Sequence, residues 1–311
     1  MDGDRDLSRL HWLLRKGEFV VTSECGPPRG ADRSVIERKA QYLKESVDAV
    51  NVTDCQTAVA RLSSLAACVV LKGLGLEPTL QMTCRDRNRL ALTADLYGAS
   101  ALGINNVLCL TGDHQKFGDH PTAKGVYDLD SVALIHLVRK LRDEGRTLSG
   151  EEVEGKPSFL IGAAENPFAD PFEYRVARLK KKIAAGCQFV QTQCIYDMQR
   201  FAEWMRRVVD QGLHQRCYIL AGITPMKSVG MARYMQSSVP GMIVPDELIE
   251  RLKSAPKERR AELGIKIAVE QIQQLRQMEG IAGIHLMAIE WEERVPEIVS
   301  EAGLLPRPSV Q

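Results

Sequence analysis

A chain of 311 residues with 44% hydrophobic side chains holds either one large domain or two ordinary ones, with ample apolar content for a buried core. Its 41 basic and 40 acidic side chains leave a net charge of +1, so it carries no electrostatic footprint for nucleic acid, and no apolar run approaches the roughly 20 residues of a membrane span. Eight cysteines without CxxC or other metal-ligand spacing, and an opening MDGDRDLSRL without an apolar signal segment, predict a reducing, cytoplasmic setting.

The first β-rich run, EFVVTSEC from Glu18, carries Glu24 near its end, just before a Gly-Pro-Pro stop. A helix is predicted over Asp32–Glu45, followed by the runs DAVNVTD from Asp48 and PTLQMTC from Pro78. A helix at Asn88–Ser100 leads to NVLCLTGD from Asn106. The stretch GDHQKFGDHPTAKGVYDLD then reads as an extended loop over the strand ends, placed to cover a ligand, and Asp130–Glu144 as the next helix. SFLIGAAEN from Ser158, QFVQTQC from Gln188 and CYILAGIT from Cys217 alternate with helices at Pro171–Ala185 and Asp197–Gln211. A long helical stretch broken at Pro256 precedes the eighth run, IAGIHLMA from Ile281. Eight strands, most of them roughly 30 residues apart, predict an α/β fold, a (β/α)8 barrel, rather than an open doubly wound sheet. No linker divides the chain, so residues 1–311 are taken as a single domain, with a tail expected to fray from about 304.

Barrel enzymes carry their chemistry on the loops after the strands. The polar residues there are Glu24, Thr53, Asp54, Gln81, Thr83, Thr111, Asp113, Glu165, Asn166, Gln191, Gln193 and Thr224. Period-two alternation puts Gln191 and Gln193 on the inner side of one strand, where two amides suit a heterocycle with several donors and acceptors. Glu24 is either a carboxylate held by a neighbour such as Arg29 or a general acid in an apolar mouth. Asp113 is either a turn residue or a site residue. Lys180 to Lys182 sit late on a helix, where cations usually face water and one is free to turn toward a phosphate. The six histidines lack HxxxH or HExxH spacing, so no metal is expected, and Cys25, Cys84 and Cys194 read as packing residues before redox ones. There is no GxGxxG after a strand and no Walker loop.

The segments TSECGPPRG, QMTCRDRNR, LCLTGDH, ENPFADP, RLKKKIAAGCQFVQTQCIYD and AGITPMKS, in this order from about Glu18 to Val239, resemble the methylenetetrahydrofolate reductase family. TCRDRN resembles the branch whose members are fused to a methyltransferase or work with separate subunits. The resemblance implies a flavin-containing (β/α)8 barrel that reduces 5,10-methylenetetrahydrofolate to 5-methyltetrahydrofolate. On that resemblance Glu24 promotes protonation of the folate N10, Asp113 lies near both flavin and folate, and Gln193 contacts the pterin. Thr53, Gln81, Thr111, Gly112, Asp113, Tyr127, Asn166, Arg178 and Lys182 match its flavin-binding positions. FAD is the expected form and FMN the other, with NADH, NADPH or an electron-delivering protein subunit as donor, and an oligomer is expected. Met287 and Trp291 stand where better-known short members carry an aromatic residue and an Arg, and Gln81 where many carry a His. The rival expectations are a pterin-binding methyltransferase barrel and a non-catalytic barrel subunit of a larger complex.

Overall fold

The computed structural model describes residues 8–239 and 241–309. All eight predicted strands form: β1 (Val20–Cys25), β2 (Ala49–Val52), β3 (Pro78–Thr83), β4 (Asn106–Leu110), β5 (Leu160–Glu165), β6 (Phe189–Cys194), β7 (Tyr218–Ile223) and β8 (Ile281–Leu286). They pair in parallel, each with the next in sequence, and β1 closes on β8 with Thr22 beside His285. The fold is therefore a closed (β/α)8 barrel, as the spacing of the strands predicts.

The predicted helices appear as α2 (Arg33–Leu43), α4 (Arg89–Ala101), α5 (Ser131–Arg139), α6 (Tyr174–Ala185) and α7 (Met198–Asp210). Their starts are legible because Asp32, Asn88, Asp130 and Asp197 each accept a first-turn backbone N–H. Only α6 begins later than expected, after a turn in which Tyr174 N donates to Pro171 O at 3.1 Å. The stretch before β8 breaks as predicted into α9 (Asp246–Ser254) and α10 (Arg260–Arg276), and α3 (Ser64–Gly73), α8 (Val229–Ser238) and α11 (Val295–Glu301) complete the outer layer.

Two differences lie at the floor of the barrel. A short helix, α1 (Arg9–Arg15), inserts Leu10, Leu13 and Leu14 beneath the strands, where they pack with Val20, Leu108, Leu160, Phe189 and Leu220. The tail expected to fray from about 304 is docked instead through Pro308. Arg307 Nη2 donates to Asp48 Oδ2 at 2.6 Å and to Phe19 O at 2.8 Å, and Arg9 Nη2 donates to Pro308 O at 2.7 Å. Asp48 is buried and also accepts Val21 N, so the tail arginine, together with Arg9 at 3.3 Å, neutralises a buried carboxylate. The main apolar core lies between strands and helices, which leaves the upper lumen to polar side chains.

Candidate active site

Alternation along the strands sorts the lumen into layers. Glu24 and Gln81 stand at the mouth, and Gln81 Nε2 donates to Glu24 Oε1 at 3.4 Å. Below them Asn51 and Gln191 exchange amide hydrogen bonds of 2.5 and 3.0 Å. β2 and β6 are not neighbours, so this pair crosses the lumen. Gln191 Nε2 also donates to Thr22 Oγ1 at 3.2 Å, and Thr22 Oγ1 lies 2.9 Å from His285 Nδ1. The ring's other nitrogen, Nε2, lies 3.7 Å from Glu24 Oε1.

This geometry changes two expectations. Gln191 does face inward, but its amide is spent on Asn51 and Thr22 rather than offered to a ligand. Glu24 meets Gln81 and His285 and not Arg29, which is exposed and lines a cleft of about 540 Å³ between the loops after β1 and β8. Gln193 stands on an irregularity of β6, where the register against β7 shifts between Gln191 and Cys194. There Thr192 Oγ1 accepts Gly222 N at 2.8 Å, and Gln193 Oε1 accepts Cys194 N at 3.1 Å, leaving the Gln193 NH2 without a partner among the described residues. Such irregularities re-aim a side chain.

The loops after β2, β3 and β4 are locked together by the arginines of TCRDRN. Arg87 grips Asp54 with both terminal nitrogens, at 2.7 and 3.2 Å, while Thr83 donates to the same carboxylate from N and Oγ1, each at 2.9 Å. Burial alone would raise the Asp54 carboxyl, but the Arg87 and Thr83 bonds outweigh it and hold it below the usual range. Arg85, buried, reaches Asp113 O and Cys55 O, and Tyr127 OH donates to Asp113 O at 3.2 Å. Asp113 therefore presents an exposed carboxylate from an anchored backbone. Gly112 between them has φ +92, and a Cβ there would lie 3.0 Å from Arg85 Cβ and 3.1 Å from Thr83 Cβ. The long loop after β4 leans on the β2 loop, where Asp119 Oδ1 accepts Ala60 N at 3.1 Å and Gly118 abuts Ala58. Cys55, Thr57 and Ala58 in that β2 loop all have positive φ.

The other predicted site residues are placed less alike. Thr53 Oγ1 is buried at the end of β2 without a hydrogen-bond partner. Thr111 Oγ1 accepts Ser131 N at 3.1 Å and so serves the start of α5. Asn166 bridges Phe168 N and Gly241 O. Arg178 is half-buried on α6. Lys182 lies in the layer between β5 and α6, 2.7 Å from Glu165 Oε2, with both residues buried. Met287 reaches over Gly222, and Trp291 has Lys227 at 5.2 Å and Arg294 at 5.3 Å from its ring centre. Lys227 Nζ also donates to Ile289 O and Glu290 O, so Trp291 belongs to a brace between the last two loops. Burial raises the Cys25 and Cys84 thiols to about 12 and the Cys194 thiol to about 11, as expected of packing residues.

His285 is not legible from the sequence as a site residue, since the histidines were weighed there only as metal ligands. Its position, two residues from Gly283 and Met287 on the last strand, was the available signal, since those positions share the inner face. Asn51 was missed likewise, one residue from the apolar Val50 and Val52.

A closed parallel barrel whose strand ends gather a carboxyl, amides and an anchored acidic loop is the frame of a (β/α)8 enzyme. The sequence profile of the family described as "Methylenetetrahydrofolate reductase" matches residues 9–303, and the chain belongs to that family. Similar proteins include a probable methylenetetrahydrofolate reductase (NADPH) of Caenorhabditis elegans, 26% identical over 78% of this chain and 34% of that protein. A methylenetetrahydrofolate reductase (NADH) 1 of Arabidopsis thaliana is 24% identical over 96% of this chain and 51% of that protein. The 5,10-methylenetetrahydrofolate reductase of Pectobacterium carotovorum is 23% identical over 94% and 92%. The chain thus spans about a third to a half of the eukaryotic relatives and nearly all of the bacterial one. A solved Clostridium thermocellum protein, described as uncharacterized and binding two copies of 5-methyl-5,6,7,8-tetrahydrofolic acid, shares the fold at TM-score 0.61 and 14% identity over 95% of this chain and 98% of that one.

Proposed function

We propose that this barrel reduces 5,10-methylenetetrahydrofolate to 5-methyltetrahydrofolate at a bound flavin, with Glu24 as the proton donor. The observation that carries the reading is the position of Glu24: a carboxyl at the barrel mouth, partly covered, whose contacts are Gln81 and a buried histidine rather than a surface cation. Such a group holds a proton at the folate N10 while the five-membered ring opens, and its carboxylate then faces the positive charge of the iminium. The unpartnered Gln193 NH2 and the Asp113 carboxylate take up the pterin's acceptors and N–H donors.

Thr53, Gln81, Thr111, Gly112, Asp113 and Tyr127 would hold the flavin ring system. Two features fit it: the orphaned Thr53 hydroxyl, and Gly112, whose missing side chain keeps the backbone of the β4 loop close against Thr83 and Arg85. When bound, a reduced flavin supplies hydride to the methylene carbon. At the phosphate end Asn166 and Lys182 are committed to protein partners, so Arg178 is the cation left for a phosphate. FAD is the favoured form on family grounds, with FMN the other. The donor is NADH, NADPH or an electron-delivering partner subunit, leaving before folate enters, and the chain works in the cytoplasm as an oligomer.

The absorption spectrum of the purified protein is the first test. NADH, NADPH or a low-potential artificial donor is then added without oxygen, followed by methylenetetrahydrofolate. A yellow protein that is bleached by one of these donors and recovers its colour with folate is expected, and Glu24→Gln keeps the bleaching and loses the recovery. A colourless protein that takes up no added flavin, as a methyltransferase or non-catalytic barrel would be, overturns the reading. So does a Glu24→Gln variant that recovers at the wild-type rate.

A further inference from the structure

We propose that His285 is a positioning residue that shares one proton with Glu24, so that the carboxyl at the mouth is recharged from within the barrel. The inference rests on the proposed role of Glu24 and extends it to a residue with no other assigned task.

A threonine hydroxyl donates once and accepts twice. Thr22 Oγ1 has three partners: Gln191 Nε2 at 3.2 Å, Ile284 O at 3.2 Å and His285 Nδ1 at 2.9 Å. The amide can only donate and the carbonyl can only accept, so Thr22 gives its one hydrogen to Ile284 O. All three contacts are satisfied only if His285 Nδ1 carries a hydrogen and donates it. The exchange between Asn51 and Gln191 survives if both amides turn over together, but Thr22 would then face two carbonyl oxygens with one hydrogen, so all its contacts are met only with the Gln191 Nε2 toward Thr22. In the neutral ring Nε2 is then a bare lone pair, 3.7 Å from Glu24 Oε1.

A lone carboxyl is ionised near neutral pH, whereas an imidazole titrates close to it. Facing each other, the Glu24 oxygen and the His285 Nε2 are two bases placed for one proton. In the charged pair the Nε2–H bond breaks as a Glu24 O–H bond forms. That O–H bond breaks in turn as the folate N10–H bond forms, and its electron pair stays on the carboxylate. After product leaves, a solvent proton returns through Glu24 to Nε2. His285 is 3% exposed, so Glu24 is its route to the mouth. Around the ring, β1 contributes Thr22 and Glu24, β7 the glycine Gly222, and β3 and β6 the neutral amides Gln81 and Gln191. The thiols within electrostatic reach of Glu24, Cys25 and Cys194, are held up at about 12 and about 11 by burial and stay neutral.

The test uses the flavin-loaded chain with 15N-labelled histidine, followed across pH, and His285→Gln to assign the signal. The neutral ring is expected to be protonated at Nδ1, and its titration to move to lower pH in Glu24→Gln, because loss of the carboxylate disfavours the imidazolium. Thr22→Val, which leaves the ring in place, is expected to release the tautomer toward Nε2–H. In the reaction itself, His285→Gln is expected to slow reoxidation by methylenetetrahydrofolate roughly tenfold or more and to shift its loss to lower pH, while reduction by the donor is unchanged. A wild-type ring protonated at Nε2, a titration indifferent to Glu24→Gln, or both half-reactions falling together would overturn the proposal. If the wild-type chain reduces no methylenetetrahydrofolate, the proposed function fails, while the tautomer and its response to Glu24→Gln still decide whether the pair exists.

Discussion

Asp54 and Arg87 join the ends of β2 and β3 by a two-pronged ion pair, Nη1 to Oδ2 at 2.7 Å and Nη2 to Oδ1 at 3.2 Å, with Asp54 buried. The same arginine reaches Asp95 at 2.9 Å, which ties the rim to α4. Arg87→Ala would leave the Asp54 carboxylate buried with only Thr83 as partner. Breaking a buried pair from one side costs about 3–5 kcal/mol, and the larger exposure of Arg87 places this case toward the lower end. Urea unfolding of the two proteins measures it, and a loss below about 1 kcal/mol would mean that the pair contributes no more than a surface bridge.

The same pair sets a direction for acid sensitivity. The folded-state carboxyl of Asp54 is held below its ordinary value, because the Arg87 and Thr83 bonds outweigh the effect of burial. A depressed folded value contributes stability above the unfolded value and loses it as pH falls through the folded one. Wild-type stability is therefore expected to drop on acidification below about pH 4, and Asp54→Asn, less stable at neutral pH, is expected to show a flatter fall. Chemical denaturation midpoints across acidic pH read the slope directly.

The barrel was legible because each strand is a short, largely apolar run ending near a polar residue or Gly, and most of the expected helices open on an Asp or Asn cap. In the candidate site, what was legible was which side chains alternate onto the inner face, as Glu24, Gln81 and Gln193 do. Lys182 shows where such reading stops. Its neighbours Lys180 and Lys181 are exposed, and nothing in a run of three lysines tells which one turns inward to meet Glu165. The partner of Gln191 and the place of His285 failed to register for a related reason. Their partners Asn51 and Thr22 lie far away in sequence, the first across the lumen and the second on the adjoining strand that closes the barrel, and such bonds leave no periodic trace.

Lys182 carries its own prediction. Lys182→Met removes the cation 2.7 Å from Glu165 and strands a buried carboxylate, at a cost of about 3–5 kcal/mol in the flavin-free protein. Pairing it with Glu165→Leu removes both charges and is expected to recover most of that stability. Flavin affinity of the double variant then isolates the phosphate role. Unchanged affinity means that the Lys182 charge serves the fold alone, and a clear fall means that it is shared with a phosphate.

Thr53 offers the sharpest contrast between apo and loaded protein. Its hydroxyl is buried without a partner at the end of β2, so it sits in the fold as a desolvated donor and acceptor left unused. Thr53→Val keeps the shape and discards the hydroxyl, and the flavin-free protein should be as stable as wild type or slightly more so. If a flavin polar group completes that hydroxyl, the same substitution weakens flavin binding by about 0.5–1.5 kcal/mol, a loss of roughly twofold to tenfold in affinity. Thermal unfolding of the apoprotein and titration with free flavin separate the two effects. A variant that loses apo stability while binding flavin as wild type does would place the hydroxyl's partner inside the protein and remove Thr53 from the flavin site.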